Sequence, residues 1–192
     1  GGIDIEAIGV INSPDYHRVT VEACGPGGIS PYWIPKGLVS IVDGGGETFA
    51  ITPSPGFFII DVATNGASVG RTNAVALQNI ASDIAIKAHF GSMLTVSSEH
   101  GRPEPSAGVS YHWGDTQLEV PDSPVNLSGT QLVCVGWIGS GSVLPNGIGP
   151  DTGSVNISND STIAWQWKTN YWLKLDAGYG GQVITADAWH GS

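Results

Sequence analysis

The chain has 192 residues, of which 28 are glycine and 12 are proline, and its formal charge at pH 7 is −10. Seven basic residues against seventeen acidic ones leave no basic patch, which argues against a nucleic-acid partner or an anionic membrane surface. No apolar run approaches the roughly 20 residues that a spanning helix needs, so no membrane span is expected. The low charge density and the many turn-forming residues favour an extracellular or cell-surface protein built from short strands.

The first 15 residues predict one strand that ends in a turn. Ile3, Ile5 and Ala7 fall on one face of this strand, and Ile8 falls on the other. No hairpin partner follows closely in the sequence, so the backbone groups of the strand must pair elsewhere. We therefore take Ile3, Ile5, Ala7 and Ile8 as a candidate intersubunit strand.

Residues 16–90 predict a first β module. Residues 36–43, 47–53 and 57–65 alternate like strands and are separated by glycine- and proline-rich turns. A closing strand over residues 84–90 then runs through Gly91 and Ser92 into the next strand.

Residues 91–169 predict a second module that ends in the same way. Residues 161–168 alternate strictly, and after Thr169 and Asn170 the alternation restarts at residues 171–175. This join predicts either a tight connection or a bent continuous strand. Trp137, Trp165 and Trp167 are expected to fill the core of this module, because tryptophan buries the most area per residue.

The two modules are predicted to be repeats. Similar strands begin at Val19, Leu94 and Leu173, which are 75 and 79 residues apart, and the closing strands at Ile84 and Ile163 are also 79 apart. Residues 170–192 would then hold only the opening strands of a third repeat. The expected fold is all-β, with two tandem small β-sandwich or β-grasp-like modules and extra terminal strands.

Part of the sequence resembles a known family. Residues 47–70 and 79–90 are similar to the bacterial surface repeats related to the internalin-type B-repeat, although Phe57 stands where that pattern usually has tyrosine. Residues 129–147 and 159–173 resemble a sister version of the same module. The resemblance implies tandem modules of a secreted or surface-anchored protein, which serve as spacers, stalks or adhesive surfaces.

The candidate chemistry is sparse. The five histidines share no metal-ligand spacing and no nucleophile or phosphate-binding motif is present, so neither an enzyme nor a cofactor is expected. Calcium between modules is an alternative that the acidic residues leave open. Its ligands would come from Asp43, Glu47, Asp115, Asp151 and Asp187.

Three further features have two interpretations each. Cys24 and Cys134 would join the modules if they formed a disulfide, or they are separate thiols. Trp33, Trp113 and Trp189 recur beside turns, and we favour core caps over a sugar-binding platform. Asn126, Asn156 and Asn159 begin sequons that permit N-glycosylation where the host has the machinery.

These observations predict a non-enzymatic extracellular structural protein. In this hypothesis the start of one copy completes the end of another, so that copies of the chain assemble head-to-tail into a cell-surface fibre by strand exchange. The candidate acceptor or donor end comprises Trp172, Leu173, Leu175, Val183 and Trp189. The alternatives are a fragment of a large repeat-containing adhesin or stalk, and a glycan-binding accessory module of a secreted enzyme.

Overall fold

The protein is all-β, as predicted. A computed structural model describes residues 15–31, 36–175, 179, 181 and 188–191, and over these residues it contains sixteen strands and no helix. The strands are β1 (Tyr16–Cys24), β2 (Gly27–Ile29), β3 (Lys36–Val42), β4 (Glu47–Pro53), β5 (Phe58–Thr64), β6 (Ala67–Gly70), β7 (Ala74–Leu77), β8 (Ile84–Ser98), β9 (Gly108–His112), β10 (Gly114–Glu119), β11 (Val125–Leu127), β12 (Thr130–Ser140), β13 (Asn146–Ile148), β14 (Asp151–Ile157), β15 (Ser161–Leu173) and β16 (Ala188–Gly191). Within this part of the chain, no helix is long and apolar enough to cross a bilayer.

Most strands belong to one sheet of eleven strands. Its central path runs β11-β12-β15-β8-β1-β3, and β5, β6, β9, β13 and β16 pair with members of that path or with each other. Two smaller sheets, β10-β14 and β2-β4-β7, complete the fold.

Strands β8 and β15 are long because each continues through its predicted join without a break. Strand β8 has 15 residues and passes through Gly91 and Ser92, and β15 has 13 residues and passes through Thr169 and Asn170. Of the two alternatives for residues 161–175, the continuous strand is therefore the one observed.

The buried side chains form two separate clusters, and β8 contributes to both. The first cluster draws on residues 19–90 and includes Phe49 and Phe90, which are fully buried. The second draws on residues 94–165 and includes Leu94, Trp137 and Trp165. Trp137 and Trp165 meet edge to face with ring centroids 5.8 Å apart, and Trp167 packs against the cluster while partly buried. The predicted core positions of Trp137 and Trp165 are thus confirmed, while Trp167 lies at the periphery of the cluster.

The pairing of the strands recurs along the chain. Strand β1 pairs in parallel with residues 84–89 of β8, and residues 94–98 of β8 pair in parallel with the start of β15. We call β1 and residues 94–98 of β8 the opening segments. Each also takes an antiparallel partner, which is β3 for β1 and β9 for β8. Their parallel partners, residues 84–89 of β8 and the start of β15, are the closing segments. These also take antiparallel partners, which are β5 for β8 and β12 for β15. The division into modules 16–90 and 91–169 stays a prediction.

An aspartate directly precedes each parallel closing segment and binds the backbone of the opening strand. Asp83 Oδ1 accepts a hydrogen bond from the Arg18 backbone N–H at 2.7 Å. Asp160 Oδ1 accepts one from the Met93 backbone N–H at 2.8 Å. In both places a charged oxygen satisfies the N–H of the residue directly before the parallel pairing begins, so each bond belongs to the stronger, charge-assisted class.

We expect the two aspartates to contribute similarly to stability. Replacing Asp83 or Asp160 by alanine should lower the free energy of unfolding by about 1–2 kcal/mol, because a charged acceptor is removed from a partly solvated N–H. Replacement by asparagine should lower the free energy of unfolding by less, since the asparagine Oδ1 still accepts the hydrogen bond from the backbone N–H. Urea-induced unfolding of the four variants measures these differences. Alanine variants as stable as the parent protein would show that the two bonds contribute nothing net.

Of the two alternatives for Cys24 and Cys134, the disulfide is not formed. Both cysteines are free thiols, with Cys24 half-buried at the end of β1 and Cys134 buried in the second cluster. The Cys24 thiol donates to Glu22 Oε1 at 3.4 Å, while the Cys134 thiol contacts the carbonyl oxygen of Gly136 at 3.6 Å. Burial raises the pKa of both thiols, which favours their protonated form. The two-thiol alternative is therefore the one observed.

Candidate assembly site at the end of the sheet

The end of β15 leaves the core that its first half helps to form. Trp165 is buried, but the side chains of residues 171–174 emerge into solvent. Tyr171 is 54% exposed, Trp172 45% and Leu173 44%. Three consecutive large side chains are thus exposed on one strand.

Strand β16 adds a second tryptophan to this surface. It pairs antiparallel with the end of β15, and the pairing sets Trp172 directly opposite Trp189. Their ring centroids are 5.3 Å apart with the planes at 68°, an edge-to-face pair. Trp189 remains 36% exposed. We call the set Tyr171, Trp172, Leu173 and Trp189 the aromatic end.

The two edges of β15 have different partners at this end. Tyr171 pairs with Thr130 of β12 and also with His190 of β16, so β12 and β16 lie on opposite edges of β15. Beyond that position, the Trp172 backbone N–H still donates to the carbonyl oxygen of Gly129 at 3.1 Å. The strand is therefore held in place from both sides while its large side chains face solvent.

Two lysines flank the aromatic end. Lys168 lies on β15 and Lys174 directly follows that strand, and both are exposed. They are two of only seven basic residues in a chain of formal charge −10. An exposed apolar group with a charged rim has the composition of an interaction surface.

Not all of the predicted assembly residues can be placed. Ile3, Ile5, Ala7, Ile8 and Val183 lie outside the described residues. Leu175 lies within them and is half-buried. The structure therefore brings together Trp172, Leu173 and Trp189 of the predicted end and adds Tyr171. The sequence places Tyr171 in the alternating strand at residues 171–175, but alternation alone does not show that its side chain is exposed.

The tryptophans beside turns do not cap a core where they are described. Trp33 lies outside the described residues. Trp113 is 45% exposed and packs edge to face on Phe57, with ring centroids 5.7 Å apart. Neither Trp113 nor Trp189 belongs to a buried cluster. The favoured interpretation as core caps is thus wrong for these two side chains.

The three sequon asparagines are exposed and hydrogen bonded. Asn126 Oδ1 accepts from Gln131 Nε2 at 2.8 Å, and Asn159 Oδ1 accepts from the Ser142 hydroxyl at 2.7 Å. Asn156 differs, because its own Nδ2 donates to Asp115 at 2.9 Å. Since a glycan is attached through Nδ2, modification of Asn156 would disrupt an existing bond, whereas Asn126 and Asn159 use only their oxygens in these contacts.

The carboxylates proposed as calcium ligands have other partners. Asp43 binds His17 Nε2 at 2.8 Å, and Asp151 binds Gln117 Nε2 at 2.6 Å. Glu47 accepts a bond from the Thr48 backbone, and Asp187 lies outside the described residues. Among the residues that can be placed, no three His, Cys, Asp or Glu side chains form a group able to hold a metal ion.

A groove of about 600 Å³ on the first half of the sheet was not predicted. Charges of both signs line it, and Lys87 Nζ lies 3.5 Å from Glu22 Oε1. The hydrogen bond from Cys24, followed by the charge of Lys87, lowers the pKa of Glu22. The opposite charges neutralise each other, so the groove presents no net charge to a ligand. The remaining lining includes Lys36, Asp61 and His89.

Comparison with known proteins adds no relative. No family model matches the chain, and neither the curated proteins nor the solved structures contain a match. The resemblance to the internalin-type B-repeat therefore stays a prediction.

Proposed function

We propose that the protein is a non-enzymatic structural subunit that works outside the cell or at its surface, and that copies of it assemble head-to-tail into a fibre. The observation that carries this proposal is the aromatic end. Its side chains are exposed on a strand that is itself fixed by pairing on both edges. A contact between two different surfaces of identical copies extends into a filament unless the rotation between copies closes it into a ring.

The organisation of the chain supports the same proposal. Two buried clusters share the continuous strand β8, and the order of parallel and antiparallel partners recurs from β1 to β8 and from β8 to β15. We infer two tandem repeat modules, 16–90 and 91–169, linked by a strand common to both. Such an arrangement is rigid along the strand direction, which suits a stalk or a fibre.

The partner segment in this proposal is the strand predicted over residues 1–15. Ile3, Ile5, Ala7 and Ile8 would supply the apolar face that covers the aromatic end of the next copy. Both edges of β15 are paired at the aromatic end, so the segment would add to the outer edge of β16, which pairs with β15 alone among the described residues. A strand added there gains affinity through backbone hydrogen bonds and specificity through side-chain pockets.

A second candidate is glycan binding at the cell surface. Trp113 is exposed beside Phe57, and an exposed ring can stack on the apolar face of a sugar. This function would use a ring far along the chain from the aromatic end. Replacing Trp113 by alanine should then abolish binding on a glycan array while leaving assembly intact.

Electron microscopy of the purified chain tests the fibre proposal. We expect filaments from the parent protein, and we expect monomers from a variant that lacks residues 1–12. Circular dichroism of the truncated variant should still report a folded β protein, because both buried clusters lie beyond the deletion. Filaments of normal length from the truncated variant would refute strand exchange through this segment.

A further inference from the structure

Strand β8 presents one row of side chains on the outer face of the sheet. Its even-numbered positions from Ile86 to Val96 are all buried. Because side chains alternate along a strand, the odd-numbered positions lie on the opposite face. Ala85, Lys87 and His89 of this outer row line the groove of about 600 Å³. The groove therefore lies on the face of the sheet, and β1 and β5 occupy both edges of β8 beside it.

Two aromatic rings lie where this row continues past the groove. Phe58 pairs with Gly91 and Tyr111 pairs with Met93, which are the next two positions of the row. The two ring centroids are 4.9 Å apart, and the guanidinium carbon of Arg71 lies 4.3 Å from the centre of the Tyr111 ring. Phe58 is 38% exposed. Tyr111 and Arg71 thus hold an exposed ring next to the groove.

The groove supplies hydrogen-bonding groups without a net charge. Two positive and two negative side chains line it, namely Lys36, Lys87, Glu22 and Asp61. Asp61 uses Oδ1 to accept a hydrogen bond from the Ser68 hydroxyl at 2.6 Å. Among the residues that the structure describes, the His89 ring has no hydrogen-bond partner, although it is half-buried in the groove. Donors and acceptors therefore stand beside the exposed Phe58 ring.

This combination matches the chemistry of a linear, uncharged glycan. A pyranose ring has an apolar face that stacks on an aromatic ring, and its hydroxyls both donate and accept hydrogen bonds. A peptide strand would need a free sheet edge for its backbone, and both edges of β8 are occupied here. An anionic polymer would be repelled by a chain of formal charge −10.

We infer that the groove binds a linear neutral glycan, with one sugar ring stacked on Phe58 and the following units hydrogen bonded to His89 and Asp61. At the rise of a β-strand, the row from residue 85 to residue 91 spans about 20 Å, so the site accommodates more than one sugar unit. The inference is independent of the fibre proposal, and it assigns glycan binding to residues other than Trp113.

A glycan array of neutral linear oligosaccharides of increasing length tests the inference on the full chain. We expect binding that strengthens with length. Titration calorimetry with the bound oligosaccharide should show that Phe58→Ala and His89→Ala each weaken the affinity about tenfold, through loss of a stacked ring and of a hydrogen bond. Trp113→Ala is the matched control, because it removes a comparably exposed ring that packs on Phe57 and does not line the groove. It should leave the affinity unchanged.

Two results overturn the inference. A loss of binding with Trp113→Ala but not with Phe58→Ala moves the glycan to the surface around Trp113. A parent chain that binds no neutral glycan, or only acidic ones, shows that the groove does not have the proposed ligand. Neither result bears on filament formation, so the fibre proposal is judged separately by electron microscopy.

Nuclear magnetic resonance of the unsubstituted protein locates the ligand without relying on a variant that has to fold. The resonances of the His89 ring should shift when the bound oligosaccharide is added, because that ring lines the groove. The His190 ring, which lies in β16 beside the aromatic end, is the control and should not shift. A bound oligosaccharide that leaves the His89 resonances unchanged overturns the assigned position.

Discussion

Replacing Trp165 by alanine should lower the free energy of unfolding by about 3–5 kcal/mol. Trp165 is only 4% exposed and packs edge to face on Trp137 in the second cluster, so its removal leaves a large cavity. Its indole Nε1 has no hydrogen-bond partner in the structure. The loss would therefore come from packing alone, without a broken hydrogen bond.

Phe90→Ala is the matched variant for the first cluster, where Phe90 is fully buried. We expect a loss of the same size, because both side chains are large and belong to well-packed clusters. Trp172→Ala is the control outside both clusters, and it should cost less than about 1 kcal/mol because the side chain is already half in solvent. Urea unfolding followed by circular dichroism gives all three values. A loss at Trp172 equal to that at Trp165 would contradict the assignment of the core.

The same two variants test whether the clusters unfold together. Strand β8 contributes Phe90 to the first cluster and Leu94 to the second, so the clusters share a backbone. Tryptophan fluorescence should report mainly the second, which contains Trp137 and Trp165 and lies against Trp167. If the modules are coupled through β8, Phe90→Ala should shift the fluorescence transition as well as the circular dichroism transition.

Local alternation was enough to predict much of the fold. The strand period is two residues, so side chains such as Phe49, Ile51, Ile163 and Trp165 could be assigned to a buried face from the sequence alone. The joins at Gly91 and at Asn170 were also visible, because alternation continued on both sides of each, but a tight connection and a continuous strand both fitted that pattern.

Long-range pairing could not be predicted in this way. The residues of a strand do not identify the strand with which it pairs. The hydrogen bonds from Arg18 to Asp83 and from Met93 to Asp160, for example, join positions 65 and 67 residues apart. Trp172 and Leu173 were assigned to the assembly end, but Tyr171 was missed for a related reason. An apolar alternation predicts a buried face only where another element covers it, and the cover depends on the fold.

Replacing Trp172 and Leu173 together by serine should abolish filaments at protein concentrations where the parent assembles. Each side chain offers a large exposed apolar surface, and burying one in a contact is worth about 1.5–3 kcal/mol. Loss of both should raise the critical concentration on the order of 100-fold or more. Sedimentation of the assembled fraction over a concentration series measures this change.

A matched control lies at another edge of the sheet. Ile148 in β13 is 88% exposed, so Ile148→Ser removes a comparable apolar side chain from a different surface. Neither the double variant nor the control should lower the free energy of unfolding by more than about 1 kcal/mol, since all three side chains are exposed. We expect filaments from the control and none from the double variant. The opposite result would move the assembly contact from the aromatic end to the surface around β13, because only the side chain that is buried between copies contributes to their affinity.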